Sequence, residues 1–62
     1  MSMQTELNTI TSTMGELAVR LTALVESDGA LMPPDVYTEL VAAERAVGTL
    51  LRRLQRVAGR ID

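Results

Sequence analysis

A continuous row of apolar residues runs along the second half of the chain and limits its possible folds more than any other feature. The members of the row are spaced alternately four and three residues apart: Val36, Leu40, Ala43, Val47, Leu50, Leu54, Val57 and Ile61. A period of 3.5 residues is typical of a helix that packs along its length against another helix. The sequence therefore predicts a long second helix over residues 34–60.

The first half of the chain carries another row with the same period. Its members are Met3, Leu7, Ile10, Met14, Leu17, Leu21 and Leu24. Many threonines in this half lower its intrinsic helix propensity, so packing must supply most of its stability. We predict a first helix over residues 4–26, with Ser2 or Thr5 as its N-cap.

Residues 27–33 carry the signals of a short connection between the two helices. Gly29 can adopt the left-handed conformation that often ends a helix. Met32 precedes a proline and is disfavoured in a helix, whereas Pro34 suits the first helical position. A connection this short returns the chain antiparallel. We therefore predict a single domain over residues 1–62, an all-α antiparallel two-helix hairpin that resembles a coiled coil.

The two rows define a register for the hairpin. Heptad position a is assigned to Leu7, Met14 and Leu21 in the first helix and to Leu40, Val47 and Leu54 in the second. In this register the rows meet through positions a and d, and the g positions of the two helices face each other. Arg20 then lies opposite Glu39, and Glu6 lies opposite Arg53. Both pairs have opposite charges, which favours this alignment.

Positions e and b form a second side of small and apolar residues next to the two rows. Its predicted interface residues are Gly15, Ala18, Val25, Tyr37, Val41, Gly48, Leu51 and Ala58, and its polar exceptions are Asn8, Glu44 and Gln55. Two helices that meet through a and d would leave this side exposed, and exposed apolar patches usually mark interfaces. We therefore predict that these eight residues are an interface, covered by a second copy in a homodimeric four-helix bundle or by another protein.

Gly15 and Gly48 fall at nearly the same height of the hairpin and have two interpretations. They could let a helix of another chain approach closely at the middle of the bundle. Alternatively, they are surface glycines that each cost about 1 kcal/mol of helix stability.

The residue types present argue against enzymatic chemistry. The chain has no cysteine and no histidine, so it lacks disulfides, the usual zinc ligands and the usual base for a serine or threonine nucleophile. Most of its carboxylates fall on solvated helix faces without a pocket around them, which does not suit general acid–base catalysis. We predict no enzymatic activity, no catalytic or metal-binding residue, no cofactor and no small-molecule substrate.

Four arginines near the end of the second helix are the one charge cluster: Arg52, Arg53, Arg56 and Arg60. They could bind phosphates or an acidic partner, or they could be a solvated helix end that complements the helix dipole. The formal net charge of −2 and the absence of aromatic residues between the arginines weigh against nucleic-acid binding.

The predicted function is a non-enzymatic protein–protein interaction module that acts through an apolar helical face. It would serve as a small adaptor, an accessory subunit or a phage-type inhibitor of a host protein. The alternative is a small nucleic-acid-associated regulator that uses the arginine cluster. No apolar run approaches the roughly 20 residues of a membrane span, and no signal-peptide pattern is evident. We therefore expect a small acidic cytoplasmic protein without a membrane partner.

Overall fold

The computed structural model describes residues 2–60, which form two long helices joined by a short turn. Helix α1 spans Met3–Asp28, a single 3₁₀ turn spans Gly29–Leu31, and helix α2 spans Pro34–Ala58. The helices pack side by side in a rod that measures 45 × 15 × 13 Å. The predicted all-α hairpin is confirmed for these residues, within which no strand forms.

Local side-chain bonds explain how α1 starts and how it accommodates its threonines. Ser2 is the N-cap, and its Oγ accepts a hydrogen bond of 3.1 Å from the backbone N–H of Thr5. Thr9 and Thr11 donate their hydroxyls to the backbone carbonyls four residues earlier, at 3.0 and 2.8 Å. These bonds satisfy the hydroxyls within the helix. As predicted, Pro34 is the first residue of α2.

Gly29 corrects one prediction about the turn. Its φ of −56° and ψ of −39° are right-handed, because the chain continues from α1 into the 3₁₀ turn instead of reversing through a left-handed residue. Glycine is required at position 29 for a different reason. A Cβ built at this position would lie 2.9 Å from Cε2 of Tyr37, so glycine makes room for the tyrosine ring.

The hairpin has no closed core. Among residues 2–60 no side chain is fully buried. The radius of gyration is 14.3 Å, whereas a compact domain of this length would have roughly 11 Å. Each helix therefore shields only one side of the other.

The shielded side of each helix consists of positions a, e and b. The half-buried residues at these positions are Gln4, Leu7, Thr11, Met14, Gly15, Ala18, Leu21, Thr22 and Val25 in α1 and Leu40, Val41, Glu44, Val47, Gly48, Leu51, Leu54 and Ala58 in α2. The helices thus meet around position e, which lies roughly 70° around each helix from the midline between a and d.

The predicted contact through positions a and d is therefore only half correct. Position a contributes to the helix contact, but the large residues at position d are exposed. The side formed by e and b, which we expected to face water, is the half-buried one. Small residues such as Gly15, Ala18 and Gly48 lie on that side, whereas the larger residues lie at d.

The same rotation changes the expected ion pairs. When the helices meet around e, the g positions lie on the outer edges of the hairpin instead of facing each other. Every side-chain hydrogen bond within residues 2–60 joins residues three or four positions apart. Neither Arg20 with Glu39 nor Glu6 with Arg53 forms such a bond across the hairpin.

Candidate interaction surface

A stripe of exposed apolar side chains runs the full length of both helices at position d. We define the apolar stripe as Met3, Ile10, Leu17 and Leu24 of α1 with Val36, Ala43, Leu50 and Val57 of α2. Six of its large members retain between 41% and 46% of their accessible surface, and Met3 retains 70%. Isolated exposed apolar residues are ordinary, whereas a row repeated every seven residues on two adjacent helices is not.

Both halves of the stripe lie on the same broad face of the hairpin. When two antiparallel helices are viewed from the same end, their heptad positions follow one another in opposite rotational directions. Packing around position e therefore places position d of both helices on one broad face and positions b and f on the other. The half-buried residues at position a lie between the two rows of d residues. The resulting face is apolar across its width and resembles one half of a four-helix bundle.

The eight residues predicted as an interface have a different location from the stripe. Seven of them are half-buried at positions e and b of the hairpin, and Tyr37 is exposed by 43%. Within one chain most of this side is thus already engaged by the other helix. That these residues also contact another chain stays a prediction, and the exposed apolar surface is at position d.

The sequence contained a signal for this stripe. Position d holds the large residues Ile10, Leu17, Leu24 and Leu50, whereas e and b hold Gly15, Ala18, Gly48 and Ala58. Bulky residues can separate two helices, and small ones let them approach. The size difference between the two sides therefore points to e and b as the closer contact.

The two central glycines are not required by contacts within the hairpin. A Cβ built at Gly15 meets no atom within 4 Å, and a Cβ at Gly48 lies 3.6 Å from Nη1 of Arg52, an ordinary contact. Neither position brings the backbones of α1 and α2 into a contact that only glycine permits.

We therefore expect Gly15→Ala to stabilise the protein. Alanine favours the helix interior over glycine by about 1 kcal/mol, and at this site it meets no obstacle. Denaturant unfolding should show a higher midpoint with an unchanged slope. Gly48→Ala should behave in the same way. A loss of stability or of self-association in either variant would instead show that another chain approaches these glycines closely.

The structure brings three of the four clustered arginines together. Arg53, Arg56 and Arg60 line one shallow groove beside Val57, on the outer edge of α2. Arg52 lies on another side of the helix and donates from Nη2 to Oγ1 of Thr49 at 3.4 Å. Binding of an anion by this cluster stays a prediction, now limited to three side chains.

Within residues 2–60, no group of three or more acidic, histidine or cysteine side chains is arranged to hold a metal ion. Neither described helix is long and apolar enough to cross a membrane. No family model, curated protein or solved structure matches this chain.

Proposed function

We propose that this chain is a non-enzymatic protein–protein interaction module that acts through the apolar stripe. The observation that carries the proposal is the exposure of large apolar residues at every d position from Met3 to Leu24 and at Val36, Leu50 and Val57, all on one face. Contiguous apolar surface of this kind on a small protein usually marks a contact with another molecule.

The accessible surface supports association on energetic grounds. The hairpin exposes 4733 Å², whereas a compact monomer of 6.7 kDa would expose roughly 3,900 Å². The surplus of roughly 800 Å² is close to the area that one partner contributes to a standard protein interface. Because small domains have only a few kcal/mol of stability, covering the stripe would supply a large share of it.

The proposed partner is a second copy of the chain. Two hairpins that meet through their stripes would give every helix two neighbours and would form a four-helix bundle. Such a bundle would suit a small adaptor, an accessory subunit or an inhibitor that presents its remaining surface to a further protein.

The test is the oligomeric state of the purified protein over a range of concentrations. Sedimentation equilibrium should give the mass of a dimer at micromolar concentration. The melting temperature should rise with concentration, because association and folding are coupled. A folded monomer with a melting temperature independent of concentration would overturn self-association and leave the stripe for a different protein.

A further inference from the structure

We propose that the second copy packs antiparallel to the first, so that the turn of each hairpin lies beside the free end of the other. This inference rests on the proposed self-association through the apolar stripe. It adds the orientation of the two copies and the charged residues that select it.

The charges of the hairpin are separated along its long axis. The turn end carries four exposed carboxylates, with Arg20 as the nearest arginine: Glu26, Asp28, Asp35 and Glu39. The opposite end carries four exposed arginines with Glu6 as its one described carboxylate. The rod is 45 Å long, many times the screening length of about 8 Å at physiological salt. The two ends of one hairpin therefore do not neutralise each other.

Antiparallel packing brings each acidic end onto a basic end. Parallel packing would place eight carboxylates together at the turn end and eight arginines at the other. Like charges across an interface disfavour an arrangement strongly, whereas complementary charges select the orientation more than they add affinity.

The apolar stripe is compatible with one two-fold axis perpendicular to the rod. When the two copies are antiparallel, α1 of one copy packs on α1 of the second copy, and α2 packs on α2. Each stripe residue of one copy then lies opposite a stripe residue of the same helix in the second copy. In α1 the pairs Ile10 with Leu17 and Met3 with Leu24 share the midpoint 13.5. In α2 the pairs Ala43 with Leu50 and Val36 with Val57 share the midpoint 46.5.

These two midpoints lie at similar heights in the hairpin. Counted from the turn, they are 14.5 residues before Asp28 (28 − 13.5) and 12.5 residues after Pro34 (46.5 − 34). The difference corresponds to about 3 Å along a helix. One axis can therefore relate both helices to their equivalents, which makes a closed two-fold contact.

The outer edge of α2 carries charges that match across the same axis. Positions g and c hold Asp35 and Glu39 near the turn and Arg53, Arg56 and Arg60 near the other end. Residues 39 and 53 have the midpoint 46, so Glu39 of one copy lies opposite Arg53 of the second copy. Within a single chain the two are about 21 Å apart along the helix, too far for a direct interaction.

A charge exchange tests this arrangement. Glu39→Arg and Arg53→Glu should each weaken the dimer about three- to tenfold, because each places two like-charged pairs in the interface. The double variant E39R/R53E restores opposite charges in the antiparallel dimer, so its dissociation constant should return to within about twofold of the wild type. A double variant that binds no more tightly than the single variants would overturn the pairing of Glu39 with Arg53 of the second copy.

A distance measurement tests the same arrangement independently and requires no change in the charge of the protein. The protein has no cysteine, so single spin labels can be attached through Ala30→Cys at the turn and Thr49→Cys near the middle of α2. Antiparallel packing should separate the two labels at position 30 by about 40 Å while those at 49 stay closer.

Labels at position 30 within about 20 Å of each other, roughly two helix spacings, would overturn the antiparallel arrangement and leave self-association intact. A monomer at every concentration would overturn both.

Discussion

Leu17→Glu is expected to abolish self-association at micromolar concentration and to unfold most of the chain. Leu17 lies near the middle of the apolar stripe and is exposed by 46% in the hairpin. Losing the burial of that remaining surface costs about 1 kcal/mol per copy, and a carboxylate forced into the contact costs more. For two copies a total of about 4 kcal/mol corresponds to a roughly thousandfold weaker dimer. Analytical ultracentrifugation and circular dichroism measure both effects.

Val19→Glu is the matched control for this prediction. Val19 is an exposed apolar residue of the same helix, with 70% of its surface accessible, but it lies at position f on the opposite broad face. Surface substitutions of this kind usually change stability by less than about 0.5 kcal/mol. Equal effects of the two variants would mean that the d face has no special role, and a dimeric, folded Leu17→Glu protein would contradict the proposed contact directly.

Glu44→Leu is expected to raise the melting temperature by roughly 5–10 °C, which corresponds to about 1–2 kcal/mol for a chain of this size. Glu44 is half-buried at position e, where the two helices meet. It takes part in none of the side-chain hydrogen bonds formed within residues 2–60. Leucine has a similar helix propensity and would add apolar contact at this position.

Glu16→Leu separates this effect from a general gain in hydrophobicity. Glu16 is exposed at position c of α1, away from both the helix contact and the apolar stripe. We expect the melting temperature of the Glu16→Leu variant to differ little from that of the wild type. If Glu16→Leu and Glu44→Leu shifted the melting temperature equally, the helices would not meet around position e. Differential scanning calorimetry at one fixed protein concentration is sufficient for the comparison.

The local features of the hairpin could be predicted from the sequence because each depends on a few neighbouring residues. The period of 3.5 residues predicted two helices, and α1 begins one residue before and ends two residues after its predicted bounds. Pro34 marked the start of α2 because it lacks an N–H and has a fixed φ. The role of Gly29 was not predictable in this way, since it depends on a contact with Tyr37 across the turn.

The packed face was not predicted correctly because the apolar arc is wider than one helix contact. Positions a, d, e and b are largely apolar or small in both helices, so periodicity identifies the arc but not which part of it faces the other helix. The sequence did indicate that two helices cannot cover the whole arc. The structure shows that the uncovered part is position d, with Leu17 and Leu50 among its members, instead of the side that contains Val41 and Leu51.

The open cross-section of the hairpin has a consequence for how the chain can diverge. In a closed core an enlarged side chain typically lowers stability by about 1–3 kcal/mol, because it strains its neighbours. In this hairpin no described side chain is fully buried, so a larger side chain can extend into solvent. Size changes at exposed positions outside the stripe therefore cost little stability, and successive substitutions there can alter the surface without loss of the hairpin. The positions with least freedom are those with a specific local role: Ser2 as the N-cap of α1, Gly29 beside the Tyr37 ring and Pro34 as the first residue of α2.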